Sequence, residues 1–327
     1  MIARSVPATF VAVPGTYIVT GANRGLGLAI AHALAAHSGV QLILAVRDPD
    51  AARPLVQTLR ERAGAASDLR VRVEALDLGS LASVAAFCQR WRGPVSGLVN
   101  NAGLQNTGSM RLSADGLEET FAVNYLGALA LSWGMRTGLR GGRCLFIGSG
   151  THHPRHVTAR LSGFRGARFQ SVAASAHPAP DSRAVRQAGR DRYATSKLLC
   201  TSAAHALARG AVAEQTQFFC LDPGMMPGTD LARGATAVER FVWKNILPAL
   251  RWLLPDTTTT ARSAASAAWL IAAPQLPYAS GAILNYRALP SRWVAAQVWD
   301  QERGRELLAQ SRALLSELGY EALTDRV

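Results

Sequence analysis

A predicted strand, a glycine turn and a predicted helix follow one another near the start of the chain, and they restrict its fold most. The strand covers residues 17–19, the turn reads Gly-Ala-Asn-Arg-Gly-Leu-Gly at 21–27, and helical apolar spacing continues to about residue 37. Glycines here let the backbone approach a pyrophosphate, which the free N–H groups of the helix N-terminus can bind. A plain tight turn is the alternative, because the spacing is not G-x-G-x-x-G.

The same alternation of short apolar runs and helical patterns continues along the chain. Further strands are predicted at residues 41–46, 70–75, 96–99, 143–147, 217–221 and 282–285. Helices are predicted at 50–63, 80–91, 117–137 and 258–272, a further helix carries Tyr193 and Lys197 and runs to about residue 209, and residues 291–318 are expected to be mostly helical. This order predicts an α/β protein with a single-domain Rossmann fold: a doubly wound parallel sheet of about seven strands with helices on both faces.

The predicted domain organisation has four parts. Residues 1–15 are expected to be an N-terminal extension, and 16–327 one Rossmann domain. That domain would carry a long insertion at about 152–190 and a substrate-lid segment at about 228–256. The insertion is rich in Gly, Ser and Pro, so we expect it to be mobile. The stretch 241–254 is amphipathic, basic and Trp-bearing, which suits a helix packed on the core, a lid over an apolar substrate, or peripheral contact with a membrane.

Composition argues against several classes of protein. The formal charge is +13, but the arginines are scattered without a dense basic run, so nucleic-acid binding is not expected. No apolar run reaches the ~20 residues of a membrane span, and the N-terminus lacks a signal-peptide layout. No metal site and no disulfide framework are indicated, which suits a cytoplasmic protein, because the cysteines lie far apart at Cys88, Cys144, Cys200 and Cys220.

The end of the second predicted strand bears on cofactor choice. An acidic residue there binds the ribose 2′-OH of NAD, whereas a basic residue accommodates the 2′-phosphate of NADP. Arg47 follows this strand and Arg24 lies in the glycine turn. Asp48 is the counter-argument, but Pro49 comes next, so Asp48 is expected to cap the following helix. The sequence therefore favours NADP(H) over NAD(H).

Tyr193 and Lys197 form the clearest candidate for acid/base chemistry. Their spacing of four places both side chains on one helix face, where the ammonium would lower the pKa of the phenol. A chance pair on a solvated face is the alternative. The chain has lysine only at Lys197 and Lys244 and otherwise uses arginine. Because arginine cannot readily lose its proton, lysine at this position favours the catalytic interpretation.

Two further polar residues, outside the Tyr193/Lys197 helix, are candidates for this site. Ser149 follows the predicted strand at 143–147 and should lie at the carboxyl edge of the sheet. Asn124 lies in an apolar helical run, so its amide needs partners, and a satisfied structural Asn is the alternative. We expect His152, His153 and His156 to be loop residues without chemistry.

Taken together, residues from about 16 to 287 resemble the short-chain dehydrogenase/reductase family. Within that family the chain looks like the branch of retinol dehydrogenases, WW-domain oxidoreductases and light-dependent protochlorophyllide reductases. The resemblance rests on Thr20-Gly21-Ala22-Asn23-Arg24-Gly25-Leu26-Gly27, Ala45-Val46-Arg47-Asp48, Asp77-Leu78-Gly79-Ser80-Leu81, Asn100-Asn101-Ala102-Gly103, Asn124, Ser149, Tyr193-x-x-Ser196-Lys197-Leu198 and Pro223-Gly224.

The resemblance implies roles for individual residues. Tyr193 would be the acid/base, Lys197 would lower its pKa and hold the nicotinamide ribose, Ser149 would bind the substrate oxygen, and Asn124 would support a water-linked proton relay. The implied cofactor-binding residues are Gly21, Asn23, Arg24, Gly25, Leu26, Gly27, Arg47, Asp77, Leu78, Asn101, Ala102, Gly103, Tyr193, Lys197, Pro223, Gly224 and Thr229. Two positions depart from the family: Gly148 replaces a usual Ser, and Thr229 lies farther from Pro-Gly than usual.

The resulting expectation is an NADP(H)-dependent oxidoreductase. It would interconvert a carbonyl and an alcohol, or reduce a conjugated double bond, on a small-molecule substrate that is bulky and apolar. One alternative is a non-catalytic NADP(H)-binding regulator or scaffold, and the other is a protochlorophyllide-reductase-like enzyme. A binding module needs no acid/base, so the set Asn124, Ser149, Tyr193 and Lys197 favours the enzyme. Homo-oligomerisation is left open.

Overall fold

Seven parallel strands form one sheet in the order β3-β2-β1-β4-β5-β6-β7. The computed structural model describes residues 10–63, 68–91, 93–181, 184–210, 216–226 and 256–324. The strands are β1 Gly15–Thr20, β2 Val40–Val46, β3 Arg70–Ala75, β4 Gly97–Asn100, β5 Arg143–Ile147, β6 Gln217–Asp222 and β7 Ile283–Asn285. The predicted fold is thus confirmed.

Helices connect the strands and cover the sheet. They are α1 Gly25–Ala35, α2 Pro49–Ala63, α3 Leu81–Arg90, α4 Glu119–Phe121, α5 Gly127–Gly134, α6 Val157–Leu161, α7 Val172–Ala176, α8 Val185–Leu207, α9 Thr260–Ala272 and α10 Gln301–Glu317. Single 3₁₀ turns lie at Gly150–His152, Ala296–Trp299 and Glu321–Leu323. Within the described ranges, no helix has the length and apolar character to cross a membrane.

Alternate strand residues point into two separate cores, one on each face of the sheet. On β1, Ile18 belongs to the core beneath α3, α5, α8 and α10, whereas Tyr17 and Val19 belong to the core beneath α1 and α9. Because the side-chain period of a strand is two, this division follows directly from the pleat. A sheet buried on both faces explains why central strands such as β2 are almost continuously apolar.

The strand order reverses between β1 and β4, and this places the site. From β1 the chain winds outward to β2 and β3, then returns to β4 and winds the other way to β7. Ligands of such sheets bind at the carboxyl ends of the strands beside this switch point. The glycine turn after β1, the Asn-Asn-Ala-Gly segment after β4 and Ser149 after β5 therefore meet at one edge.

Two predicted elements are built differently. The helix predicted at 117–137 is broken by a π-turn at Ala122–Leu126 that separates α4 from α5. The next residue, Gly127, packs closely on the loop that follows β3. A Cβ at this position would lie 2.2 Å from the Leu78 carbonyl oxygen. Short π-turns are frequent at functional sites.

The insertion at 152–190 is the second difference. The structure folds its described part into α6, α7 and the first turns of α8, which begins at Val185. Arg165 pairs with Asp191 at 2.5 Å, and the Arg168 N–H donates to Thr195 Oγ1 at 2.9 Å. The described part of the insertion is therefore tied to α8, contrary to the expectation of a mobile loop.

The two other predicted parts, the N-terminal extension and the lid segment, lie largely outside the described residues. The last residues of the N-terminal extension lie against α9, where the Val13 N–H donates to the Ala272 carbonyl oxygen at 2.8 Å. The proposed lid segment at about 228–256, with Trp243 and Trp252, lies outside the described residues except for Asp256.

Candidate active site

A cleft of about 400 Å³ opens at the carboxyl edge of the sheet. Of the cofactor-binding residues predicted from the sequence, only Thr229 cannot be placed, since it lies outside the described residues. The cleft is lined by the others, namely Gly21, Asn23, Arg24, Gly25, Leu26, Gly27, Arg47, Asp77, Leu78, Asn101, Ala102, Gly103, Tyr193, Lys197, Pro223 and Gly224. Ser149 also lines it, together with residues that the sequence did not single out, such as Leu104, Val123 and Met226.

The glycine turn is shaped to leave room for an anion. Gly21 and Gly25 adopt φ values of 63° and 55°, which side-chain-bearing residues rarely adopt. A Cβ on Gly25 would meet nothing within 4 Å, whereas one on Gly27 would lie 2.4 Å from the Gly21 carbonyl oxygen. Arg24 at the N-cap makes no side-chain cap to α1. The first amides of the helix therefore face open space, which suits a pyrophosphate.

A latch between β1 and β4 holds this turn in place. Thr20 Oγ1 accepts hydrogen bonds from the N–H groups of Asn101 at 3.0 Å and Ala102 at 2.9 Å. The Asn101 amide nitrogen donates to the Thr20 carbonyl oxygen at 2.8 Å. The Asn101 amide NH₂ is thus used within the protein, and a contact to an adenosine remains a prediction.

Arg24 and Arg47 line the cleft beside the turns that follow β1 and β2. Both side chains are exposed, and neither forms an ion pair with another residue in the described part of the chain. Asp48 Oδ1 accepts a hydrogen bond from the Ala51 N–H at 3.1 Å, so this carboxylate caps the start of α2 as predicted. This part of the cleft therefore carries two solvent-facing guanidinium groups and a carboxylate that is already engaged.

Tyr193 and Lys197 lie on the inner side of α8 and not on a solvated face. Each is only 6% exposed. The Lys197 ammonium nitrogen lies 5.7 Å from the centre of the Tyr193 ring and donates to the Ile147 carbonyl oxygen at 2.8 Å. Phe164 from the insertion packs on the Tyr193 ring with centroids 5.9 Å apart. A chance surface pair would show none of this burial or fixation.

The surroundings of the Tyr193 phenol shift its pKa in opposite directions. Burial raises its pKa, and Lys197 lowers it as the sequence predicted. The negative charge of Asp222 raises the pKa further, while a hydrogen bond with the Ser149 side chain lowers it. The net direction is upward, so burial outweighs the ammonium and Tyr193 holds its proton in the protein alone.

Ser149 is held by its own turn and by a buried histidine. Its Oγ accepts from the Thr151 N–H at 3.3 Å and the Thr151 hydroxyl at 3.1 Å. His152 Nδ1 lies 2.6 Å from the Ser149 carbonyl oxygen, and Nε2 accepts from the Ala295 N–H at 3.3 Å. Burial lowers the pKa of His152 to about 4, so the ring is neutral and fastens Ser149 to the C-terminal segment.

Asn124 lies behind the cleft, within the π-turn, and its side chain is fully partnered. Oδ1 accepts from the Leu104 N–H at 2.8 Å, and Nδ2 donates to the Leu104 carbonyl oxygen at 2.9 Å and to Ser196 Oγ at 3.0 Å. The Asn124 amide therefore joins the loop after β4 to α8. This agrees with the alternative interpretation of Asn124 as a structural residue with a satisfied side chain. A proton relay at Asn124 remains a prediction and would have to use its main-chain carbonyl, which also accepts from the Cys200 thiol at 2.9 Å.

The sequence reasoning missed two residues that act on Tyr193, namely Phe164 and Asp222. Asp222 is the last residue of β6 and is 9% exposed. The sequence signal was an acidic residue at the end of an otherwise apolar strand, directly before Pro-Gly. Phe164 carried no such signal, because only the folding of the insertion brings it to α8.

Comparison with known proteins agrees with this geometry. A family model described as short chain dehydrogenase matches residues 16–158, which contain the glycine turn, the β4 loop and Ser149. This part of the chain is therefore similar to short chain dehydrogenases. Tyr193 and Lys197 lie beyond the matched residues, and the fold brings them to the same cleft.

Two curated relatives are similar to this chain. A probable oxidoreductase of Streptomyces lividans is 43% identical over 138 residues, 41% of this chain and 45% of that protein. A WW domain-containing oxidoreductase of Drosophila melanogaster is 29% identical over 276 residues, 83% of this chain and 61% of that protein. The matches thus span less than half of the first relative and less than two thirds of the second. The second name belongs to the branch that the sequence resembles.

The fold of this chain also matches solved structures. An uncharacterized protein from Mycobacterium paratuberculosis superposes with a TM-score of 0.67 at 22% sequence identity, covering 94% of this chain and 96% of that chain. At this identity the similarity supports the Rossmann architecture alone.

Proposed function

We propose that this chain is an NADP(H)-dependent oxidoreductase that interconverts a carbonyl and an alcohol on a bulky apolar substrate. One observation carries the proposal: Tyr193, Lys197 and Ser149 converge on the same cleft as the open glycine turn. A nucleotide bound at the turn would extend along this cleft toward the tyrosine. A scaffold protein would have no use for a buried lysine fixed beside a buried phenol.

The residues present fit a nicotinamide dinucleotide. The uncapped first turn of α1 and the space over Gly25 would receive the pyrophosphate. Asp77 and Leu78, which line the cleft, would contact the adenine, and Pro223 and Gly224 would line the opposite end. When bound, the nicotinamide would supply or accept the hydride, while the protein orients the substrate and handles the proton.

Tyr193 would handle that proton. In the direction of reduction, its hydroxyl gives a proton to the carbonyl oxygen, and in the direction of oxidation the phenolate takes the proton back from the alcohol. Ser149 Oγ, which lines the same cleft as Tyr193, would hold the same substrate oxygen. The Lys197 ammonium, anchored on the Ile147 carbonyl oxygen, would stabilise the phenolate that each reduction leaves behind.

The substrate side of the cleft supports an apolar ligand. Phe164, Ala159 and Ala194 pack with Tyr193 in a small apolar cluster formed by the insertion and α8. Closure of an apolar surface over the reacting carbon would expel water and gain roughly 25 cal/mol per buried Å². Phe164, which packs on Tyr193 beside the cleft, would form part of the wall that a bulky apolar substrate contacts.

Phe164→Ala tests this wall. We expect the KM for an apolar aldehyde such as decanal to rise severalfold, while the Kd for NADPH stays unchanged, because Phe164 is not among the residues that line the nucleotide cleft. Phe10→Ala, which removes a ring that packs on His37, is the control. An unchanged KM together with lost NADPH binding would show that Phe164 supports the fold and not the substrate.

Arg24 and Arg47 account for the proposed NADP preference. Replacing either by Ala should weaken NADPH binding by roughly 10-fold. This loss of affinity is at the low end of the range for charged hydrogen bonds, because both side chains are exposed. NADH binding should be spared, since NADH lacks the 2′-phosphate. Fluorescence titration of both cofactors measures the two affinities.

The control for these variants is Arg53→Ala, since Arg53 is an exposed arginine of α2 that pairs with Asp50. Both cofactor affinities should be unaffected by this change. A wild type that prefers NADH, or a double variant of Arg24 and Arg47 that retains its NADPH preference, would contradict the proposed role of the two arginines.

A further inference from the structure

The segment that joins β7 to α10 is tied to the edge of the sheet where it begins. The Ser291 N–H donates to the Ile283 carbonyl oxygen of β7 at 2.9 Å, and Ser291 Oγ accepts from the Trp293 N–H at 3.3 Å. Because β7 pairs with β6, the backbone that carries Trp293 has a fixed position relative to the turn that follows β6.

The indole of Trp293 holds one wall of the cleft through Asp256. Its Nε1–H donates to Asp256 Oδ2 at 2.7 Å, and the main-chain carbonyl oxygen of Asp256 accepts from the Met225 N–H at 2.9 Å. Met225 follows Gly224, which lines the cleft. A Cβ on Gly224 would lie 3.0 Å from the same Asp256 oxygen, so this turn lies close against Asp256. Asp256 therefore connects Trp293 to the turn after β6.

The same segment also holds the turn that carries Ser149. The Ala295 N–H, two residues beyond Trp293, donates to His152 Nε2 at 3.3 Å. His152 Nδ1 in turn lies 2.6 Å from the Ser149 carbonyl oxygen. The backbone around Trp293 is therefore joined to both turns that line the cleft, the one after β5 and the one after β6.

The two other histidines after Ser149 pack on the indole itself. The ring centroids of His153 and His156 lie 5.4 Å and 4.7 Å from that of Trp293. The indole thus contacts the Ser149 side of the cleft with its ring and the Gly224 side with its N–H, through Asp256. One side chain joins the two sides.

We propose that Trp293 is a positioning residue that holds the Ser149 turn and the Gly224 turn at a fixed separation across the cleft. The inference rests on the proposed function, because Ser149 would hold the substrate oxygen and Gly224 would line the nicotinamide end. A misplacement of about 1 Å at a reacting centre can lower a rate by ~10²-fold. The hydrogen bond between the indole and Asp256 therefore controls turnover without touching the substrate.

Trp293→Phe tests this role, because it removes the indole N–H and keeps an aromatic ring for the two histidines. We expect hydrogen exchange at the Met225 amide to become roughly tenfold faster, as for loss of a hydrogen bond to a carboxylate. The kcat for reduction of decanal by NADPH should fall roughly tenfold with KM unchanged, because the wall at Phe164 is untouched. Exchange at the wild-type rate, or faster exchange with an unchanged kcat, overturns the proposal.

Arg292→Ala is the matched control. Arg292 lies 3.3 Å from the same carboxylate and 4.9 Å from the centre of the indole, but its side chain is 67% exposed. Exposed ion pairs contribute little, so exchange and kcat should stay within about twofold of the wild type. Equal effects of Arg292→Ala and Trp293→Phe would overturn the role of the indole hydrogen bond and indicate a general sensitivity of this region.

Asp256→Gly removes the acceptor of the same hydrogen bond. The φ of 58° at this position suits glycine, so the substitution introduces no backbone strain. Exchange at the Met225 amide should again become roughly tenfold faster. The double variant with Trp293→Phe should be no worse than either single variant, because both remove one bond, and additive losses overturn the proposal. Should Trp293→Phe not fold, Asp256→Gly is compared with Arg292→Ala, and equal exchange rates in these two overturn it.

The exchange measurement needs neither substrate nor cofactor. A wild-type protein that reduces no carbonyl would contradict the proposed function, and the exchange rates would still decide whether Trp293 holds the turn after β6. Conversely, turnover of decanal by the wild type together with equal exchange in the wild type and Trp293→Phe would overturn the role of Trp293 and leave the proposed function standing.

Discussion

Tyr193→Phe is expected to lower kcat by roughly 10²–10⁴-fold, the contribution of a positioned general acid/base. The substitution removes the hydroxyl and keeps the ring, so the packing on Phe164 and the neighbouring Lys197 should be preserved. NADPH affinity should change little, because the glycine turn and the two arginines are untouched. Steady-state kinetics and fluorescence titration on the same preparation separate the two effects.

A second tyrosine provides the control for this variant. Tyr278→Phe removes a hydroxyl that donates to the Ala288 carbonyl oxygen at 2.7 Å, and Tyr278 does not line the cleft. This change should leave kcat within about twofold, as expected for a substitution away from the site. If Tyr193→Phe and Tyr278→Phe had equal activity, the acid/base assignment would be wrong.

Lys197→Met should impair both catalysis and cofactor binding. Loss of a fixed cation beside the developing phenolate should lower kcat by roughly 10²–10³-fold. The proposed contact with the nicotinamide ribose would also be lost, which should weaken NADPH binding by about 10-fold or more. This double effect distinguishes Lys197 from Tyr193, whose removal should affect kcat alone.

Lys197→Arg tests whether charge alone is sufficient. Lys197 is buried, and its single nitrogen reaches the Ile147 carbonyl oxygen at 2.8 Å. The larger planar guanidinium cannot take that position without displacing its neighbours. We therefore expect Lys197→Arg to recover little of the kcat that is lost in Lys197→Met. Full activity in Lys197→Arg would contradict the geometric role given to the ammonium.

Much of the fold was predictable because its signals are local. A short apolar run before Gly-x-x-x-Gly-x-Gly sets the first strand and turn, and repeated alternation of strand and helix sets a parallel sheet. The pairing of Tyr193 with Lys197 was also local, since four residues on one helix bring the side chains together. The chain order of these motifs then placed them at one edge of the sheet.

The remainder depends on contacts between distant parts of the chain. The insertion packs Phe164 on Tyr193, and no local pattern specifies which residue of such a segment will reach the site. The net upward shift in the pKa of Tyr193 likewise comes from its burial and from Asp222, which lie outside the motif that suggested a lowered value. The π-turn around Asn124 required the tertiary bonds to Leu104 and Ser196.

The most direct test of the central claim is consumption of NADPH by the purified protein with a panel of bulky apolar aldehydes and ketones. The account predicts substrate-dependent oxidation of NADPH in the dark, slower with NADH, and lost in Tyr193→Phe while NADPH still binds. Binding of NADPH without turnover of any carbonyl or of the corresponding alcohols would contradict the enzyme and favour a nucleotide-binding regulator. Turnover that persists undiminished in Tyr193→Phe would contradict the mechanism.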